Sequence, residues 1–140
     1  SLCDVRVRLT TRLQMTGDLV ATYAYPNAII QSAETGQLLS FNPEFYEGRI
    51  VEYLANGRDR VMLPGPCYRT DMVIHHGTSG GPVAGPSGRV FGINSTGFDG
   101  TDDFYVSRID EIFSLEIATG ESDRLTIQHL VNQGVVTVDP

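Results

Sequence analysis

Glycine and proline cut this chain into short pieces. Fifteen Gly and seven Pro are spread through 140 residues, a density of turn signals that favours short strands over long helices. Asp4–Leu9 alternates, with Val5, Val7 and Leu9 on one face and Asp4, Arg6 and Arg8 on the other, which predicts a half-buried strand. A polar connection then closes on Gly17-Asp18, and Leu19–Tyr25, rich in β-branched and aromatic residues, predicts a second strand ended by Pro26-Asn27. From Ala28 to Glu47 the alternation is irregular and is broken at Gly36 and at Asn42-Pro43, so a long, partly extended connection is expected.

Arg49–Leu54 reads as a third strand, Asn56-Gly57 as a tight turn and Arg60–Leu63 as the returning strand before Pro64-Gly65-Pro66. Gly81–Ala84 and Arg89–Asn94 flank Gly85-Pro86-Ser87-Gly88, a hairpin by its turn chemistry, and Phe104–Val106 is a short last strand. Ser107 has the character of an N-cap with Asp110 three residues on, and Ile109, Ile112, Phe113 and Ile117 follow at helical spacing. A second short helix is expected over 123–133, with Gly134 as its stop and Val135–Val138 as a strand-like tail. Strands followed by helix predict an all-β, antiparallel barrel capped by a C-terminal helix.

Composition narrows the function classes. Hydrophobic residues make up 41% and charged residues 19%, as in a globular domain with a core of its own. The net charge of −7, with no basic patch interleaved with aromatics, argues against nucleic acid as a partner. No apolar run is long enough to span a bilayer. Cys3 and Cys67 lack metal-ligand spacing; they either pair or stay as two buried thiols. No metal or cofactor is expected.

The chemistry concentrates in His75-His76-Gly77-Thr78-Ser79-Gly80-Gly81-Pro82-Val83. Glycines on both sides of Ser79 permit positive φ and leave its hydroxyl uncovered. A tight turn of this kind can also aim successive N–H groups at one point, as an oxyanion hole requires. Ser79 is therefore the candidate nucleophile, against the plainer reading of an incidental serine in a glycine-rich hairpin.

The segment Gly77–Val83 resembles the nucleophile motif of chymotrypsin-fold serine peptidases. Thr70–His76 before it is similar to the approach segment of the high-temperature-requirement branch and related bacterial enzymes. Downstream, Gly88–Gly97 resembles the strand lining the primary specificity pocket, and Gly17–Pro26 the opening strand of the second barrel. The resemblance implies two six-stranded barrels with the active site between them, of which this chain holds the second.

Asp4–Leu9 resembles the segment that carries the catalytic Asp and begins the last strand of the first barrel. Arg6 and Arg8 stand where that family prefers small or apolar residues. The implied division is residues 1–12 as the last strand of a missing N-terminal barrel, 13–118 as the C-terminal barrel with its closing helix, and 119–140 as an extension. A second possibility makes the tail from Ser122 to Pro140 the start of another domain.

The resemblance further implies a serine endopeptidase acting on a polypeptide substrate through an acyl-enzyme. Gly77 and Ser79 supply the oxyanion donors. Ser95, Thr96 and Gly97 pair with the substrate backbone and form one pocket wall; Val73, Ile74 and His75 form the other. Asp4 orients the histidine or is simply a strand-end carboxylate. His75 and His76 sit three or four residues ahead of Ser79 on its own loop, which suits a pocket rim better than a base, and His129 lies on the outlying helix. The base is then expected from the missing barrel, leaving this chain inactive alone. Asp103, if it faces the pocket floor, biases the site to Arg or Lys; otherwise it belongs to a solvated acidic loop with Asp99 and Asp102. The rival from another class is a catalytically silent domain of the same fold, used for binding or scaffolding.

Overall fold

Gly17 adopts φ +92°, and the turn it makes with Asp18 delivers Leu19 into a strand whose alternation decides which side is inside. Val20, Thr22 and Ala24 are buried, while Leu19 and Tyr23 face out. The computed structural model describes residues 6–34, 36–75, 77–97, 101–118 and 124–140. Its strands are β1 (Arg8–Thr10), β2 (Leu19–Ala33), β3 (Gly36–Leu54), β4 (Cys67–Thr70), β5 (Pro82–Ala84), β6 (Val90–Gly97) and β7 (Phe104–Arg108). After them come β8 (Glu116–Ala118), β9 (Arg124–Thr126), helix α1 (Ile127–Asn132) and β10 (Thr137–Asp139).

Antiparallel pairings run β2–β3, β3–β4, β4–β7, β7–β6, β6–β5 and back from β5 to β2. The chain is thus an all-β protein with a closed six-stranded barrel and one short C-terminal helix. β1 attaches outside this ring, parallel to β10 and touching β6 at Leu9 and Val90.

The barrel interior is filled by Val20, Ile50, Tyr68, Met72, Ile74, Val83, Phe91 and Val106. Tyr68 anchors it: its ring meets Phe91 edge-on at 5.2 Å, and its hydroxyl accepts the Gln14 N–H at 3.2 Å. Each such buried aromatic contributes about 1.5–3 kcal/mol through removal from water. Gly92 is required because an added Cβ would come within 2.6 Å of the Ser107 carbonyl on the facing strand. A second cluster, Leu63, Cys67 and Tyr105 with Leu54, lies beneath the 55–66 connection. Cys67 is a free, fully buried thiol, and burial pushes its pKa up; Cys3 lies outside the described residues. No helix among the described residues is long and apolar enough to cross a membrane.

Three expectations from the sequence are corrected. Residues 28–47 are not a loose connection but most of a long β2–β3 hairpin, with Pro26 absorbed where the register shifts between Ala24 and Asn27. Arg60–Leu63 is not a strand, because the Asp59 carboxylate accepts the N–H groups of Val61 (2.9 Å) and Met62 (2.6 Å) and holds a turn instead. The returning strand is β4. Ser107 caps no helix, since it is engaged in β7 opposite Cys67 and Ile93. The helix expected over 109–117 is a single 3-10 turn, Ile109–Ile112, followed by β8. The second helix is α1, capped by Thr126 Oγ1 on the His129 N–H and ended where Gly134 takes φ +72°.

Asp59 also pairs with Arg58 at 2.7 Å, and these hydrogen bonds hold its carboxyl down at about 2 from an ordinary 3.8. A depressed folded pKa stabilises above the unfolded value, and that stability fades as pH falls through the folded one. Asp59→Asn is expected to lower the urea midpoint at pH 7, with the gap to wild type closing between pH 3.8 and about 2. A gap that does not change with pH contradicts this role.

Candidate active site

The serine loop sits between β4 and β5, and it is held down from its C-terminal side. The Gly80 N–H donates to the Asn94 carbonyl at 2.8 Å, the Asn94 N–H returns to the Gly81 carbonyl at 2.8 Å, and the Gly81 N–H closes a turn on Thr78 at 3.1 Å. Gly77 and Gly80 take φ +94° and +89°, which side chains other than glycine rarely adopt. Gly77 is constrained twice: a Cβ there would lie 2.8 Å from the Pro26 carbonyl. The β2 bulge is therefore packed directly against the loop.

Beneath this turn runs a buried polar relay. Asn94, 5% exposed, donates through Nδ2 to Thr22 Oγ1 at 2.7 Å, and Thr22 donates to the Pro82 carbonyl at 2.7 Å. Asn94 thus ties the loop backbone to the barrel interior through both its main chain and its side chain. Its Oδ1 has no partner among the described residues. Neither Asn94 nor Thr22 stands out as a site residue in the sequence; the available signal is a polar residue in the otherwise apolar run Val90-Phe91-Gly92-Ile93.

Ser79 is exposed at the crown of the turn, and its hydroxyl donates to the Ser95 carbonyl at 2.8 Å. Among the described residues, neither the Gly77 nor the Ser79 N–H donates to another group. An exposed hydroxyl beside two unengaged donors is an arrangement able to receive a carbonyl group.

The other candidates are distributed as follows. Ser95, Thr96 and Gly97 end β6 beside the serine, opposite β7 at Tyr105 and Phe104. Ile74 is buried in the barrel core and Val73 is exposed, so they do not share a wall by side chain. His75 lies edge-on to the Tyr46 ring at 6.0 Å. That phenol donates to Glu44 Oε2 at 2.6 Å, and burial, aided by the carboxylate, pushes its pKa up to about 12. Asp103 pairs with Arg69 at 2.9 Å, an arginine it shares with Glu52 at 3.3 Å. Asp4 and His76 lie outside the described residues. His129 is on α1.

One residue missed in the sequence approaches the expected substrate strand. Arg58, 10% exposed at its side chain, lies over the Tyr105 ring at 5.1 Å and reaches Thr96 Oγ1 at 3.5 Å. No set of three or more His, Cys, Asp or Glu side chains among the described residues is grouped to hold a metal ion.

No family model matches the chain, and no curated protein matches it by sequence. Solved structures do. The active form of the Rv3671c protease from M. tuberculosis superposes with a TM-score of 0.55 at 20% identity, over 76% of this chain and 44% of that one. An inactive form of Rv3671c from M. tuberculosis H37Rv, a serine-to-alanine mutant, gives 0.54 at 21% identity, over 76% and 49%. A further inactive form of the protease gives 0.53 at 22% identity, over 75% and 50%. The chain shares the fold of these proteases and spans about half of their length.

Asn94→Ala removes the side-chain link between loop and barrel. It is expected to lower unfolding free energy by about 1–3 kcal/mol in urea titrations, and Asn94→Asp, which buries a carboxylate, by more at neutral pH. Full stability in both variants contradicts the relay.

Proposed function

We propose that this chain is the nucleophile-bearing barrel of a trypsin-like serine endopeptidase. One observation carries the reading: Ser79 projects from a doubly anchored glycine turn whose Gly77 and Ser79 N–H groups have no other acceptor among the described residues. A serine that served only the fold has no need of such company. The protease neighbours share the barrel fold on which the reading is built, at an identity that speaks for the fold alone.

In this mechanism Ser79 Oγ attacks the scissile carbonyl carbon while its proton passes to a histidine base. The carbonyl oxygen, now negative, is held by the Gly77 and Ser79 N–H groups. The tetrahedral centre collapses with expulsion of the amine, which takes the proton back, and water then repeats the sequence to release the acid. Removal of one such donor typically costs about 10²–10³ in rate. The substrate backbone lies along β6, where the Ser95 carbonyl accepts its N–H. That carbonyl holds the Ser79 hydroxyl in the free chain, so substrate binding releases the hydroxyl toward its base.

We do not assign that base to the histidines of this chain: His75 packs on Tyr46, His129 lies on α1, and His76, outside the described residues, precedes Ser79 by three positions on the same loop sequence. We assign the base, with its orienting carboxylate at Asp4, to the junction with a preceding barrel; of the strand expected over residues 1–12, only the part ahead of β1 is left for that barrel, since Arg8–Thr10 lies between β10 and β6 of this chain. Residues 13–118 are then the second barrel and 119–140 an extension.

The test is fluorophosphonate labelling of the chain expressed together with its own upstream coding sequence. Labelling is expected at Ser79, lost in Ser79→Ala and kept in His75→Ala, with the 140-residue chain alone unlabelled. Labelling that survives Ser79→Ala overturns the assignment. Labelling of the 140-residue chain that disappears with His75→Ala overturns the external base.

A further inference from the structure

The β2–β3 hairpin carries an apolar stripe that the described residues leave about half exposed. β5 pairs with β2 only at Ala21 and Thr22, and β4 joins β3 only from Ile50 onward. From Tyr23 to Gly48 neither strand pairs with a further strand among the described residues, although near the barrel Ala24 is buried, Pro26 abuts Gly77 and Tyr46 meets His75. The hairpin register sets Tyr23 opposite Phe45 and Ile30 opposite Leu39. Alternation along β3 brings Leu39, Phe41 and Phe45 to one face. Tyr25 joins them there, with its ring edge-on to Tyr23 and to Phe41 at 5.8 Å each. All six side chains are between 49% and 66% exposed. The opposite face is mixed, setting the exposed Ile29 opposite Ser40 and Gln31 opposite the exposed Leu38, with no aromatic cluster among them.

An isolated two-stranded ribbon is marginal in water and gains order from a third strand or a covering layer. Open edges are commonly guarded by lysine, but this sequence contains no lysine, and 23–45 holds no arginine either. Six large side chains exposed by about half amount to about 600 Å² of largely apolar surface, the low end of the roughly 600–1,000 Å² that each partner brings to a standard specific interface. The stripe itself bears no charge, so two identical copies can face each other without burying one. A cationic or anionic partner finds nothing on it to pair with.

We propose that this stripe is the interface of a symmetric dimer, in which the ribbons of two copies of the chain stack face to face as a small two-layer sandwich. The symmetry is isologous: the Tyr25–Phe41 patch of one copy meets the same patch of the other. Layer spacing of about 10 Å suits aromatic side chains interdigitating from both sides. This inference does not depend on the peptidase reading.

Sedimentation equilibrium of the 140-residue chain at tens of micromolar decides it. The expected mass is twice 15.3 kDa, falling toward the single-chain mass on dilution. Phe41→Glu is expected to weaken the dimer at least about tenfold, and to leave the urea midpoint unchanged only at dilutions where the wild-type chain is also monomeric, since the side chain is exposed. Leu38→Glu, on the other face, keeps the dimer. A wild-type chain of 15.3 kDa at every concentration overturns the proposal, and does so even if a variant fails to fold. So does a monomer that takes up an apolar peptide on the stripe, which makes the occupant a foreign polypeptide. A dimer weakened by Leu38→Glu and untouched by Phe41→Glu overturns it as well.

Discussion

The site depends on one buried amide. Asn94 lies on β6 where the barrel interior ends and the serine loop begins, and it bonds to the loop through its own N–H and carbonyl and to Thr22 through its side chain. A glycine-rich turn has many accessible conformations, and losing them costs entropy. Packing alone cannot choose among them, because Gly80 has no neighbour within 4 Å of the place a side chain would take. Directional hydrogen bonds can. Those from Asn94 hold the half of the turn after Ser79, and the Pro26 carbonyl against Gly77 bounds the half before it.

The barrel supplies the rigid base for those bonds. Tyr68 and Phe91 fill its interior, and close backbone contact at Gly92 keeps β6 tight against β7. β6 therefore has two duties: its inward face anchors the loop through Asn94, and its end at Ser95–Gly97 lies beside the serine. Arg58 extends that second region, joining the 55–66 connection to Thr96 across the Tyr105 ring. The long hairpin is a separate matter. Its base abuts the loop, while its arm extends beyond the barrel and presents apolar surface.

Much of this was legible before any coordinates. The β-branched and aromatic content of Leu19–Tyr25 and the turn chemistry of Gly85–Gly88 point to strands that the structure has, although β2 runs on through Pro26 to Ala33. The serine loop was legible as a glycine turn. What escaped has a common cause, contact across distant sequence. Residues 28–47 have a poor strand signal alone and become strand through cross-strand pairing. The helical spacing after Ser107 yields a single 3-10 turn, Ile109–Ile112, before Glu116–Ala118 is drawn into pairing with β9. Arg60–Leu63 loses its strand to one carboxylate, Asp59. Asn94 and Arg58 matter through partners 72 and 38 positions away, which no local pattern reveals.

The central claim is that the serine loop is pinned by some of its amides so that others stay open. Amide hydrogen exchange followed by NMR reads this directly, one residue at a time. The account predicts slow exchange at Gly80, Gly81 and Asn94, whose N–H groups are bonded, and exchange close to the unprotected rate at Gly77 and Ser79. Protection at Gly77 or Ser79 equal to that at Gly80 would mean that those donors are already spent within the chain, and would contradict the account.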